Sequence, residues 1–419
     1  MEEKDGLPPY TYGALEPMPL PSRCRNALSR RRRRALRFVV VSCLVLIVFA
    51  QWKQVWRSRN DAPSLSLERL KRDLATCRRL RHTPEDPVGL GREKNARYID
   101  GHRPTLIRNA TVWIGEAVPG TSAEDARAGK GWRWETRDVL LEKGLIKAVE
   151  RHISSTSLPK DTKVYDAAGR QLTSGIIDMH SHAGVFALPS LNGNDDGNEF
   201  SDKITPWARS IDALDPFDPQ FQVIKSGGVT TSLILPGSSN NIAGEGFLVK
   251  HAVGKPDGRG EIGVRDMLAD PDGSWRYMKM ACGENPKIVG AETSTVARRN
   301  SRMGESFDFR RAFEQATALV QRQDDWCDKA ESSGVESMDE YLPQDITWEP
   351  LGAALRGQVH VNVHCYTVTD LEAMVDHSNE FKFAVRSFHH AHQSYLVPEV
   401  RCFFAPLPPP PGRRRHARG

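Results

Sequence analysis

The stretch Gly175-Ile176-Ile177-Asp178-Met179-His180-Ser181-His182 places two histidines at i and i+2, directly behind a short apolar run. On a strand, side chains two apart leave the same face. At the end of such a strand both imidazoles can reach one metal ion. The spacing alone also suits two ordinary strand histidines, so the residues around it decide its weight.

Downstream of Gly175, strand-like and helix-like segments alternate, the pattern of βα units around a parallel sheet. Strands are expected at 172–177, 229–235, 246–250, 277–281, 359–364 and 383–388. Gly227-Gly228 is a turn feeding the β-branched run Val229-Thr230-Thr231. Arg310 to Lys329 is the longest helical pattern, and the acidic residues 330–350 read as a loop insertion. Thr369-Asp370-Leu371-Glu372 reads as a capping box that opens another helix. Leu235 to Gly246 is rich in Gly, Ser and Asn. It could turn backbone N–H groups toward an oxyanion, or it could be a flexible loop. Upstream, 105–107, 110–114, 138–142, 145–149 and 163–166 are short β-rich runs separated by turns.

The 175–182 run resembles the end of the first barrel strand in the metal-dependent amidohydrolases. Val359-His360-Val361-Asn362-Val363-His364-Cys365-Tyr366 looks like the family's fifth strand, with His364 at its end. His360 shares that face and reads as core or rim. Ser387 to Tyr395 looks like the sixth strand; His390 aligns there by its distance to Tyr395, with His389 and His392 as alternatives. Tyr277 to Lys287, with Lys279 and Glu284, resembles a Lys-Met-Ala-Leu-Gly-Glu-Asn-Pro-Lys stretch of an imidazolonepropionase-like subgroup.

What the resemblance implies is an α/β chain: a small β-sandwich over 104–171, then an incomplete TIM-type (β/α) barrel of about six strands over 172–402. His180, His182, His364 and His390 would be metal ligands. Glu284 or a carboxylated Lys279 would be the anionic partner, with Glu284 preferred because a lysine must first take up carbon dioxide. The cofactor would be a divalent metal, zinc first, as one or two ions. The substrate would be a small molecule with a C–N bond (a non-peptide amide, a cyclic amide or an N-acetyl group), hydrolysed by a metal-activated water. Two other readings stand beside it: an amino-sugar N-deacetylase, and a non-catalytic, membrane-tethered metal-binding protein. The family's strand-eight aspartate, which serves as general base, has no counterpart in the sequence. After Glu399 the sequence departs from the family and runs into Pro406 to Gly419. On that ground the chain is expected to be a truncated or mis-spliced product with little or no activity of its own.

The net charge of +5 gathers in Arg30–Arg34 and Arg413–Arg415, and the body between is nearly balanced. That argues against a nucleic-acid surface. Seven cysteines without a Cys-x-x-Cys pair exclude a dense disulfide scaffold and a zinc ribbon, while one or two lumenal disulfides remain open. Phe38 to Ala50 is apolar or small throughout, and Ala35, Leu36 and Trp52 lengthen it toward the roughly 20 residues of a span. The arginines before it and Trp52 and Trp56 after it predict a single-pass anchor over 35–56, type II, with the body lumenal or extracellular. Asn109-Ala110-Thr111 is a glycosylation sequon that fits this orientation. Residues 1–34 read as a disordered cytosolic tail and 403–419 as a disordered Pro/Arg tail. Residues 57–103 read as a stalk with a short amphipathic helix through Leu67, Leu70 and Leu74, ended by Pro84 and Pro87.

Overall fold

The computed structural model describes residues 30–60, 65–86, 91–98, 100–251, 263–270, 273, 275–288 and 301–398. The tails expected to be disordered lie outside the described residues, except for Arg30–Arg34. The chain divides into two units at Leu65. The first contains helix α1 (Arg30–Asn60). Within it, the 21 residues of Ala35–Val55 are long and apolar enough to cross a membrane.

In the second unit the helices are α2 (Leu67–Leu80), α3 (Ala123–Arg127), α4 (Gln220–Ser226), α5 (Glu284–Ile288), α6 (Arg302–Ser333), α7 (Glu349–Leu355) and α8 (Val368–Phe381). The strands are β1 (Thr105–Trp113), β2 (Trp134–Glu142), β3 (Leu145–Glu150), β4 (Lys163–Asp166), β5 (Gln171–Leu172), β6 (Ile176–Ser181), β7 (Val229–Ile234), β8 (Ile242–Lys250), β9 (Arg276–Ala281), β10 (Val359–Cys365) and β11 (Val385–His390).

Helix α2 is docked rather than a free stalk. Ser66 caps it through the Arg69 N–H, and Leu70 and Cys77 are buried. Cys77 is disulfide-bonded to Cys327 of α6. The Asp73 carboxylate accepts the Leu342 N–H, and Arg81 pairs with Asp328 and Glu331. The β-rich region forms one sheet in the order β3-β2-β1-β4, with β5 also on β1. Among the described residues these strands are all hydrogen-bonded into that one sheet. Its small core is Ala110, Val112, Val139 and Ala167.

The second sheet has the order β11-β10-β9-β8-β7-β6. β6 is parallel to β7, and β9, β10 and β11 are parallel to one another. β8 is antiparallel to both β7 and β9, so the five other strands share one direction. This departs from the all-parallel βα alternation read from the sequence. The physical reason is length: residues 235–241 join β7 to β8, too few for a crossover helix. The same residues are largely buried, which removes the flexible-loop reading.

Period-two patterning makes β9 and β10 two-faced. Met278, Met280, Val361 and Val363 face the core with Phe309, Phe313, Leu371 and Met374 of α6 and α8. The residues between them, Tyr277, Lys279, His360, Asn362 and His364, occupy the opposite face. Helix α8 begins at Val368, with Thr367 as its N-cap, two residues before the expected box. The Asp370 carboxylate is held by the Thr367 hydroxyl and by Arg302.

Glu305, one turn into α6, is 3% exposed. One carboxylate oxygen accepts the Gly283 N–H, and the other is buried without a partner. Burial pushes its pKa up to about 7 from the ordinary 4.5. A carboxyl whose folded pKa is raised adds stability below its unfolded pKa, and loses that contribution as pH climbs through the folded value. Glu305→Gln is therefore expected to raise the denaturation midpoint relative to wild type at pH 8 and to do so much less at pH 4.5. Equal shifts at the two pH values would contradict this.

Candidate metal centre

The shared direction of the parallel strands brings their C-terminal ends to one rim, where active sites of α/β sheets gather. His180 ends β6, and His182 follows it. His364 lies at the end of β10, and His389 and His390 at the end of β11. The two outer strands of the sheet meet here: His180 Nδ1 lies 2.9 Å from His389 Nδ1. His180 Nε2 lies 3.1 Å from His182 Nε2. The His390 ring is centred 4.8 Å from His180 and 4.6 Å from His364. His392 sits farther out, stacked on Tyr366 at 4.8 Å.

Burial first, and the Lys279 charge second, push the imidazole pKa values down: His180 to about 2, His364 to about 3, His389 to about 4. His182 falls to about 4 for the same two causes. All four are neutral at pH 7. Their tautomers follow from their partners. His182 Nδ1 donates to the Leu235 carbonyl at 2.8 Å, because a carbonyl can only accept. Its Nε2 lone pair therefore faces His180. His389 Nε2 lies 3.1 Å from Asn362 Oδ1, and this atom also accepts the Ser387 hydroxyl at 2.7 Å. His389 is then the Nε2–H tautomer, and its Nδ1 lone pair also faces His180. Neutral His180 carries a single N–H, so one of its two contacts sets lone pair against lone pair. His364 adds two buried ring nitrogens without a hydrogen-bond partner.

Among the described residues, no three His, Cys, Asp or Glu side chains are grouped so as to hold a metal ion as they stand. His180 turns its two nitrogens to different neighbours, so the donors form a chain rather than a ring. The donor set nevertheless fits a divalent cation. The imidazoles are neutral, their lone pairs lack protons to accept, and buried polar atoms left unmatched cost roughly 1–3 kcal/mol each.

The two candidates for the anionic partner are placed differently. Lys279 is fully buried on β9. Its ammonium donates to the Pro236 carbonyl and to Ser238 Oγ, both at 3.1 Å. Its charge lowers the pKa of His180, His182, His364, His389 and His390 alike. Burial brings its own pKa down to about 7. Glu284, preferred on the sequence, is exposed at the start of α5 and acts electrostatically on Arg302. Gly283 causes the difference. Its φ of +81° turns the chain out of β9, and an added Cβ there would strike the Asp370 carboxylate.

His390 and Ala391 have φ of 64° and 41°. Left-handed backbone at two non-glycine residues costs of order 1–3 kcal/mol each and gathers at functional sites. The turn is held by the Ala391 N–H on the Cys365 carbonyl. It leaves His389 buried and His390 exposed beside the same cluster. The sequence reading missed Asn362 and Ser387, which share the inward parity of His364 and His389. It also left open the pairing of Cys282 with Cys365, a disulfide tying the end of β9 to the end of β10 beside His364.

The chain, a curled α/β sheet with histidines at its strand ends, has likenesses among known proteins. The chain is 63% identical over 405 residues to amidohydrolase tasK from Hapsidospora irregularis, covering 95% of this chain and 41% of that protein. It thus spans well under half the length of this relative. It is also similar to the crystal structure of an amidohydrolase from Thermotoga maritima MSB8, with a TM-score of 0.55 and 28% identity, over 71% of this chain and 67% of that one. No family model matches the sequence. The two likenesses support the amidohydrolase superfamily for this chain.

Bound zinc, measured by plasma emission on purified protein, is expected to be lost in a His180→Ala/His182→Ala variant and strongly reduced in Lys279→Met. Glu284→Gln is expected to keep the wild-type content. Loss in Glu284→Gln with retention in Lys279→Met would restore the sequence preference.

Proposed function

We propose that the chain forms the metal-binding part of a membrane-anchored amidohydrolase that hydrolyses a C–N bond in a small molecule. The observation that carries this reading is the proton shortage around His180, where two lone pairs face a ring with one N–H to give. His180, His182 and His364 would hold the cation, with His389 or His390 as the fourth imidazole and Lys279 as the anionic partner after carboxylation. At a pKa of about 7 Lys279 is partly the neutral amine, the form that adds to carbon dioxide and releases a proton. A bound divalent cation supplies Lewis acidity toward a carbonyl and acidifies water. The chain's own residues do the rest: Leu235 and Asn362 orient two of the imidazoles, and burial keeps His180, His182, His364 and His389 unprotonated. The imidazolonepropionase-like motif of 277–287 points to a cyclic or linear amide as substrate, and zinc suits an all-nitrogen donor set with one anion.

The orientation we propose is type II, with the second unit lumenal or extracellular. Its support is two disulfides, Cys77–Cys327 and Cys282–Cys365, of the kind that persists in oxidising compartments. The Asn109 side chain of the sequon is also exposed.

Full-length protein in detergent, assayed on a panel of cyclic amides, linear amides and N-acetyl amines, should lose turnover on chelation and regain it with zinc. Turnover that survives chelation would overturn the metal-dependent reading, and zinc binding without turnover would favour the non-catalytic one. Separately, the chain made in a eukaryotic secretory system should lose mass on endoglycosidase treatment, and Asn109→Gln should abolish the shift. An unmodified wild-type chain would count against the lumenal orientation.

A further inference from the structure

His182 and His389 both turn a lone pair on His180, but they are oriented by different means. The Leu235 carbonyl that fixes His182 belongs to the backbone, and no substitution removes it. His389 depends on two side chains. Asn362, 5% exposed, donates through Nδ2 to the His360 carbonyl at 2.9 Å. That bond fixes the amide so that Oδ1 faces β11. Oδ1 then lies 2.7 Å from Ser387 Oγ and 3.1 Å from His389 Nε2, and Oγ lies 3.0 Å from the same Nε2.

Three polar atoms in mutual contact need protons placed between them. With the hydroxyl proton on Oδ1 and a proton on Nε2, every contact has a donor. With the hydroxyl donating to an unprotonated Nε2, Oδ1 would face two lone pairs at hydrogen-bond distance. Asn362 therefore does two things: it accepts the Nε2–H, and it occupies the one proton by which Ser387 could impose the opposite tautomer.

We propose that Asn362 and Ser387 are a positioning pair that holds His389 as its Nε2–H tautomer and so keeps the Nδ1 lone pair turned into the imidazole cluster to receive a divalent cation. The inference rests on the cation-site reading given above. It predicts an unusual order of variants. In Asn362→Leu the Ser387 hydroxyl loses its acceptor and donates to His389 Nε2, which moves the proton to Nδ1 and points an N–H into the site. In the double variant Asn362→Leu/Ser387→Ala that bias is gone. The second deletion should then restore part of what the first removed, which two independent losses of packing would not do.

The test is a zinc dissociation constant, from chelator competition on the full chain in detergent, together with the 15N shifts of the His389 ring in metal-free protein. Asn362→Leu is expected to weaken zinc about 10–100-fold, the usual range for removing a group that orients a ligand. It should also shift His389 toward Nδ1–H, while the double variant recovers at least about threefold of the loss. A double variant as weak as the single one, or weaker, overturns the proposal. So does a wild-type His389 found as Nδ1–H, a measurement that needs no variant to fold. Wild-type protein that binds no zinc would sink the cation site itself, whereas the ring shifts of metal-free protein would still decide whether Asn362 and Ser387 set the tautomer.

Discussion

One imidazole carries the arrangement. His180 stands on β6, at one edge of the six-stranded sheet, and touches His389 on β11, at the other edge. That contact exists only because the sheet curls until its outer strands meet at one rim. The protons around it do not balance, since His182 and His389 both offer lone pairs and burial denies His180 a second proton. A protein interior tolerates such a mismatch poorly. The rest of the site reads as the apparatus that maintains it: a backbone carbonyl behind His182, an amide and a hydroxyl behind His389, and a lysine buried beneath.

The strands can hold this polar cluster because each has a second, apolar face. On β10 the valines at 359, 361 and 363 are buried with α6, α7 and α8. The alternate residues His360, Asn362 and His364 are thereby committed to the other side. Packing against the helices makes the polar face rigid, so a small shift in a core valine would be felt at the imidazoles. The Cys282–Cys365 disulfide fastens the same two strands where they reach the rim, next to His364.

Much of this was legible from residues alone. The His-x-His spacing placed His180 and His182 on one face, and the β-rich runs before Gly175 are strands β1 to β4. Alternation marked β10 and β11 to within a residue or two. The departures have specific causes. β8 runs antiparallel because its link to β7 is short, and nothing in its own composition says so. Glu284 was preferred because a lysine must first take up carbon dioxide; Gly283 turns Glu284 out of the strand, while Lys279 lies buried. Leu67, Leu70 and Leu74 predicted a helix correctly. Their period could not say that this helix is pinned to α6 through Cys77 and Cys327.

The sequence by itself determined which side chains share a face of their own strand or helix, because that periodicity is local and set by the backbone. It also determined the likeness to amidohydrolases, carried by a few short motifs. Only the tertiary structure decided which strands are neighbours, which histidine nitrogen faces which, and which of two plausible anionic residues lies inside. Those are relations between residues as much as 209 positions apart. They depend on sheet curl and register, and no local pattern in the chain encodes either.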